Sequence, residues 1–313
     1  MLMPFSRILV PLDGSEFAEQ ALMHAGRMAR AFSGRVFLLR VLSEPKDVQG
    51  EHSAGCVDWR LRKAEAQRYL QKLVADERLA GATVEVEVLD GRPADAVAQF
   101  IEHHDIRLVV LSAWGAGGAS GLPYGGTVHK VLASTRIPYL IVRGQADEAE
   151  PGEPYRHVMV SLDGSQPAEV ALHVASALDR DGGMTIELLH LVSEPLMPRR
   201  RPLTAHEQSL NSEVVECNRR VAVGYLEELR DRLASHHEIR TRLETSTRPV
   251  ETIAEVCLKE HPDLLILAVH HGEGSSGWSS EAVRQVLLTR ITTPVLALQD
   301  GMRVGQELLQ GSN

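Results

Sequence analysis

The stretch Val10-Pro-Leu-Asp-Gly-Ser15 decides the fold, because it returns as Val160-Ser-Leu-Asp-Gly-Ser165, with Asp163 standing 150 positions after Asp13. In both copies an apolar run leads into an acidic, glycine-containing turn, a pattern typical of a buried strand followed by a helix. The offset is kept further on, where Ser43-Glu-Pro45 matches Ser193-Glu-Pro195. The 313 residues therefore contain an internal repeat, and their number predicts two domains.

The two copies are joined by the polar, acidic and Gly/Pro-rich segment 144–154, which indicates a linker. We accordingly assign residues 1–145 to a first domain and residues 153–313 to a second. Leu108-Val-Val-Leu111 matches Leu264-Leu-Ile-Leu267 at a slightly larger offset, so the second copy carries a few extra residues in its middle.

Within the first copy, five short apolar runs alternate with amphipathic helical patterns, which predicts an α/β fold with a parallel sheet. The low aromatic content of 4% fits cores built from Ala, Val, Leu and Ile between helices and a buried sheet. The segments after each second strand, Leu42–Trp59 and Val192–Asn211, contain Pro and Gly or a run of basic residues and are expected to be mobile. The fifth strands, Tyr139–Val142 and Val295–Leu298, end their sheets with exposed edges, and we expect these edges to pair.

Charge and cysteine content exclude several classes of protein. A net charge of −9 argues against a nucleic-acid partner, since such binding depends on a Lys/Arg surface. Three cysteines without zinc-type spacing suit a reducing cytoplasm. The uncharged run Leu108–Val128 contains six glycines and a proline after Trp114, which argues against a membrane span. We expect a cytoplasmic protein without nucleic-acid or membrane partners.

A candidate ligand site lies where two segments of the first copy meet the carboxyl edge of the predicted sheet. One is the turn after strand one, Pro11–Ser15. The other is the glycine-rich segment Ser112–Thr127, which follows strand four and opens the next helix. Backbone amides in such a loop and at a helix N-terminus bind anions without cationic side chains, and a phosphate fits this chemistry.

These two segments resemble the signatures of the universal stress protein family in its tandem form, over nearly the whole chain. The resemblance implies two doubly wound, Rossmann-like domains of the adenine nucleotide alpha hydrolase type, each with five parallel strands in the order 3-2-1-4-5. It also implies an internal pseudo-dimer, and a nucleotide held by a first-strand aspartate, a second-strand valine and a G-x2-G-x9-G-[ST] loop. Carried onto this chain, the candidate ATP-binding residues are Pro11, Asp13, Val41, Ser112, Gly115, Gly125, Gly126 and Thr127. Ser112 replaces the first glycine of that motif, and the hydroxyl comes one residue late, on Thr127.

The second copy departs further from this motif, because Glu281 and Ala282 stand where a glycine and a hydroxyl are expected. A carboxylate about 4 Å from a phosphate charge is repelled by about 4 kcal/mol at an effective dielectric near 20. We therefore expect nucleotide in the first domain only. In each copy the aspartate has an alternative role as a cap of the following helix, and for Asp163 this is the reading we favour.

Three more specific kinds of site, a P-loop, a metal site and a dinucleotide-binding loop, are disfavoured. The segment Gly272–Ser279 has P-loop spacing but Trp278 in place of the lysine. A metal site near His261, Asp263 and His270-His271 is disfavoured because adjacent strand residues point to opposite faces. The glycine run also lacks the acidic residue of a dinucleotide fingerprint.

The function expected from the sequence is a non-enzymatic, ATP-binding regulator of a stress response, since no nucleophile with a base emerges. It would act with an unidentified protein partner, or as a homo-oligomer. The alternatives are a nucleotide-independent interaction protein with vestigial pockets and a slow ATP hydrolase.

Overall fold

The computed structural model describes residues 4–43, 52–115, 125–143, 153–163, 166–179, 182–194, 204–269 and 290–299. The chain forms two compact units, residues 1–154 together with 294–313, and residues 155–293. Both units alternate strands and helices, so the predicted α/β fold with two tandem domains is confirmed. None of the helices in the described ranges combines the length and apolarity needed to cross a bilayer.

The first unit begins with five strands and their connecting helices. In chain order these are β1 Arg7–Pro11, α1 Glu16–Glu19, α2 Ala21–Phe32, β2 Arg35–Leu42, α3 His52–Val74, the 3-10 helix Glu77–Leu79, β3 Thr83–Asp90, α4 Pro93–His103, β4 Leu108–Ser112, α5 Gly126–Ser134 and β5 Tyr139–Val142. Gln20 separates α1 from α2.

The five strands are parallel and lie in the order β3-β2-β1-β4-β5, as the family resemblance implied. β1 and β4 lie beside each other although β2 and β3 come between them in sequence, so the strand order reverses there. In open α/β sheets this reversal opens a crevice at the carboxyl edge of the strands. β4 and β5 are fully buried and β1 and β2 largely so, which explains their continuous Val, Ile and Leu content. β3, at the edge of the sheet, has no fully buried residue and alternates valine with glutamate.

The described residues of the second unit repeat this arrangement with four strands, in the order β8-β7-β6-β9 and all parallel. Its elements are β6 His157–Leu162, α6 Gln166–Leu178, β7 Thr185–Ser193, α7 Ala205–Leu233, β8 Glu238–Ser246, α8 Pro249–Glu260 and β9 Leu264–Val269.

The last strand, β10 Val295–Gln299, is grouped with the first unit. It runs antiparallel to β5, with Leu296 opposite Leu140. The expected pairing of the two fifth strands is therefore confirmed, and it places the final strand of the second repeat in the compact unit of the first.

Parts of the segments that follow the second strand of each repeat are helical. α3 already begins at His52 and α7 at Ala205, inside the segments 42–59 and 192–211. The start of α7 is fixed by a capping box, in which Thr204 Oγ1 accepts from the Glu207 amide and the Glu207 carboxylate accepts from the Thr204 amide.

Candidate functional site

The first unit contains a cavity of about 310 Å³ at the carboxyl edge of its sheet, where the order of β1 and β4 reverses. All eight residues selected from the sequence line this one cavity: Pro11, Asp13, Val41, Ser112, Gly115, Gly125, Gly126 and Thr127. They come from three strands, from the turn after β1, from the segment after β4 and from the start of α5. The fold therefore brings together residues as far apart in sequence as Pro11 and Thr127.

The turn after β1 presents a carboxylate to the cavity. Asp13 Oδ1 accepts hydrogen bonds from the Ser15 amide at 3.0 Å and from Ser15 Oγ at 2.6 Å. Gly14 has a φ of +84°, a conformation that side chains other than glycine rarely adopt. Ser15, and not Asp13, caps α1, because Ser15 Oγ accepts from the Ala18 amide at 3.2 Å. The alternative role of Asp13 as the helix cap is therefore wrong, and Asp13 instead positions the cap.

The two loops approach each other most closely between Asp13 and Gly115. Asp13 Oδ2 occupies the space that a Cβ at position 115 would fill, so this close approach requires glycine. On the other side of the glycine-rich segment, the Gly125 amide donates to the Ala113 carbonyl at 2.8 Å, which brings the start of α5 back to the end of β4. The residues at both ends of the segment are thus held at the cavity.

The N-terminus of α5 lies at the cavity, and the first turn of the helix brings no negative charge of its own. Gly125 is its N-cap and offers no side-chain hydrogen bond, and the first turn contains no acidic residue. Gly126 and Thr127 are both exposed and line the cavity. The first amides of a helix carry a partial positive charge and bind anions when no side chain satisfies them.

The wall of the cavity includes apolar residues that sequence reasoning did not select. Leu39 lies two positions before Val41 on β2, so both side chains point to the same face of the sheet. Val97 of α4 and Val128 of α5 complete the apolar lining. The alternation of strand residues could have identified Leu39, whereas the contributions of α4 and α5 depend on how these helices pack.

Trp114 is a further lining residue that the sequence analysis did not select. Its indole Nε1 is buried and has no hydrogen-bond partner among the described parts of the chain. The Arg143 guanidinium stacks on its ring at 4.9 Å, and burial lowers the pKa of Arg143. A buried indole donor beside a cavity is suited to a polar ligand atom.

A charged cluster supports the turn from the side of β2. The Arg40 guanidinium packs against Gly14 and lies 5.1 Å from the ring centre of Tyr69. The Tyr69 hydroxyl donates to Glu19 Oε1 at 2.9 Å. Burial and this hydrogen bond raise the pKa of the Tyr69 phenol above its ordinary value, so the phenol stays protonated and keeps donating at neutral pH.

The corresponding region of the second unit differs in chemistry. His190 stands at the position of Arg40 and packs edge-on against Tyr225, with ring centres 5.9 Å apart. Burial lowers the pKa of His190, although the Leu162 backbone and Asp163 oppose this shift. The predicted asymmetry between the two repeats rests on Glu281 and Ala282, and the disfavoured P-loop lies in the segment 272–279. Both lie outside the described residues.

One residue of the disfavoured metal site, Asp263, has a structural role in the fold. Asp263 Oδ2 accepts from the amides of Arg156 and His157, at 2.7 and 2.8 Å, and so ties β9 to β6. His261 ends α8 in a left-handed conformation, and His270-His271 lie outside the described residues. Within the described residues there is no group of three or more potential metal ligands.

The sequence is similar to proteins of one family. The sequence model of the universal stress protein family matches residues 4–143 and again 154–299. A curated universal stress protein of Methanocaldococcus jannaschii is 27% identical over 143 residues, which are 44% of this chain and 82% of that protein. One from Thermus aquaticus is 31% identical over 143 residues, 44% of this chain and 99% of its own length.

Solved structures show the same fold over both repeats. The crystal structure of a universal stress protein from Archaeoglobus fulgidus covers 95% of this chain and 99% of its own, with a TM-score of 0.63 and 16% identity. A functionally unknown protein from Pseudomonas aeruginosa covers 98% of this chain and 96% of its own, with a TM-score of 0.60 and 14% identity. At these identities the likeness establishes the fold.

Proposed function

This chain belongs to the universal stress protein family, and on that premise we propose that it is a regulatory, non-enzymatic stress-response protein that binds an adenine nucleotide, ATP, in its first unit. The observation that supports this proposal is the cavity beside β1 and β4, where the eight residues selected from the sequence meet.

The lining divides into a part that suits a base and a part that suits phosphate. The apolar side chains of Leu39, Val41 and Val97 offer a surface for a planar ring, and the Asp13 carboxylate beside them can accept from an amino group. The amides at Gly126 and Thr127 point a helix N-terminus at an anion. The volume of about 310 Å³ is at the lower end for ligand pockets, which suits a nucleoside with its phosphates directed toward α5.

The proposal of a non-enzymatic role is supported by the composition of the lining. Among the described lining residues Asp13 is the one titratable side chain, and its Oδ1 is held by Ser15. The same described lining places no histidine, lysine or second carboxylate beside the hydroxyls of Ser112 and Thr127. Acid–base or nucleophilic catalysis requires such a pair, so the lining supports binding better than turnover.

Titration calorimetry with ATP on the full chain tests the proposal. We expect a stoichiometry near one per chain. Gly126→Asp should abolish binding, because it places a carboxylate where the phosphate would lie. The fold should be retained, since an acidic side chain in the first turn stabilises a helix. Gly126→Asn is the neutral control and should retain most of the affinity, and Asp163→Ala should leave the stoichiometry unchanged.

Other outcomes separate the alternatives. No heat of binding with ATP would favour the nucleotide-independent interaction protein. A stoichiometry of two would show that the second unit binds as well. Release of phosphate by the wild-type chain, lost in Gly126→Asp, would favour the slow hydrolase.

A further inference from the structure

Helix α7 is much longer than its packing within the second unit requires. It runs over 29 residues, and Arg219 Nη1 donates to Thr245 Oγ1 at 2.8 Å, next to the end of β8 at Ser246. At 1.5 Å per residue α7 is about 43 Å long, whereas the nine residues of β8 span about 30 Å, so the helix is longer than the strand on which it packs. The buried residues of the helix, Ala222, Leu226 and Leu229, all come after Arg219.

The exposed side of α7 carries an apolar seam, formed by Leu210, Val214, Cys217 and Val221. Leu210, Val214 and Val221 are 47%, 48% and 70% exposed, and Cys217 is exposed as well. Their spacing of four, three and four residues is that of the a and d positions of a coiled coil. At 100° per residue the seam points about 120° away from Ala222, Leu226 and Leu229, so the packing of α7 on its own unit leaves the seam uncovered.

The charges beside the seam are complementary to a second copy of the same helix in the antiparallel direction. Glu213 and Arg220 are both exposed and precede the a positions Val214 and Val221, which makes them g residues. When Leu210 faces Val221 of a second copy, and Val214 faces its Cys217, Glu213 lies beside Arg220 of that copy. Because such an antiparallel dimer is two-fold symmetric, the pair of Glu213 and Arg220 forms twice. A parallel arrangement would place Glu213 opposite the uncharged Asn218.

We infer that the seam on α7 is a self-association surface, through which two copies of this chain pair as an antiparallel two-helix coiled coil. A single helix is marginal in water without tertiary packing, which gives a reason for the seam to be covered. The contact has only four apolar positions per helix, so it belongs to the class of small, reversible interfaces.

Sedimentation equilibrium of the full chain, from micromolar concentration up to about 1 mM, tests the inference. Glu213→Arg and Arg220→Glu should each weaken dimerisation at least about tenfold, because each places like charges together twice. The double variant Glu213→Arg/Arg220→Glu should restore it. Both positions are exposed, so circular dichroism should show an unchanged fold.

The matched apolar test is Val221→Glu, which puts a charge into the seam, against Val223→Glu, an exposed residue of the same helix outside it. Only the first should shift the chain to monomer. A wild-type chain that stays monomeric up to about 1 mM would overturn self-association and leave the seam to a different partner. A dimer that is insensitive to the charge reversals, or that the double variant fails to restore, would overturn the antiparallel pairing.

Discussion

The carboxylate of Asp13 lies against the Cα of Gly115, in the space that a Cβ at position 115 would occupy. Gly115→Ala should therefore push the carboxylate out of the cavity. Because the atom displaced is the end of a side chain and not backbone, the cost in folding stability should stay below about 1 kcal/mol. The affinity for ATP, measured by calorimetry, should fall about tenfold or more, equivalent to about 1.4 kcal/mol.

Gly126→Ala is the comparison variant for this prediction. A Cβ at position 126 meets no heavy atom within 4 Å, so neither Asp13 nor the start of α5 should move. Its affinity for ATP should exceed that of Gly115→Ala. Equal affinities for the two variants would show that the contact between Asp13 and Gly115 has no part in binding.

Asp13 can be tested separately from the helix cap that it supports. Asp13→Asn keeps an oxygen that accepts from the Ser15 amide and hydroxyl, but it removes the negative charge, so nucleotide affinity should fall while the melting temperature changes little. Ser15→Ala removes the cap itself and should cost about 1 kcal/mol of stability. If Asp13→Asn lowers the melting temperature as much as Ser15→Ala and leaves the ATP affinity intact, Asp13 is a structural residue only.

Much of the fold could be predicted because the same pattern of strands, turns and helices occurs in both repeats. The turn at Asp13 and its repeat at Asp163 both follow buried strands, and the runs of Val, Ile and Leu in the inner strands reflect burial on both faces of a parallel sheet. The pairing of β10 with β5 could be anticipated since an unpaired edge strand requires cover. The polar side of the cavity could be predicted because its residues come directly after strand ends or at the start of a helix in the sequence.

The remaining features depend on packing that local sequence does not encode. Val97 and Val128 reach the cavity only because α4 and α5 pack beside it. The extension of α7 back to Ala205 was not predicted, since the segment 192–211 contains three prolines and the run Arg199-Arg200-Arg201. The capping box at Thr204 fixes the helix start.

In the first unit, Gly26 lies so close to the backbone of Arg78 that the effect of its substitution on stability can be predicted. A Cβ on Gly26 of α2 would collide with the backbone carbonyl oxygen of Arg78, and this carbonyl also accepts from Arg30 Nη1 at 3.3 Å. Gly26→Ala should destabilise the first unit by about 1–3 kcal/mol, despite the better helix propensity of alanine, because backbone must move. Calorimetric unfolding of Gly26→Ala beside Gly126→Ala checks this; a stabilised Gly26→Ala variant would contradict it.

In the second unit, a charge cluster stands where the first unit uses aromatic packing. Glu187 accepts from His157 Nε2 at 2.9 Å and from Arg242 Nε at 2.6 Å, and its side chain is only 5% exposed. The corresponding residue of the first unit, Phe37, packs on the ring of Phe100 at 5.9 Å. Burial alone would raise the pKa of Glu187, but the hydrogen bonds from His157 and Arg242 outweigh it and lower the pKa below the ordinary value of 4.5.

The lowered pKa gives the stability of the second unit a definite pH dependence. A carboxyl whose pKa is lower in the folded state stabilises the fold above its unfolded pKa, and this contribution is lost as the pH falls through the folded pKa. Glu187→Gln should therefore cost about 2 kcal/mol at pH 7, and the difference from wild type should shrink below about pH 4.5. Glu85→Gln, at the half-exposed ion pair with Arg35, is the matched control and should cost at most about 1 kcal/mol at any pH. Urea unfolding from pH 7 to pH 3 measures both; a difference for Glu187→Gln that grows on acidification would mean that the cluster does not hold Glu187 ionised.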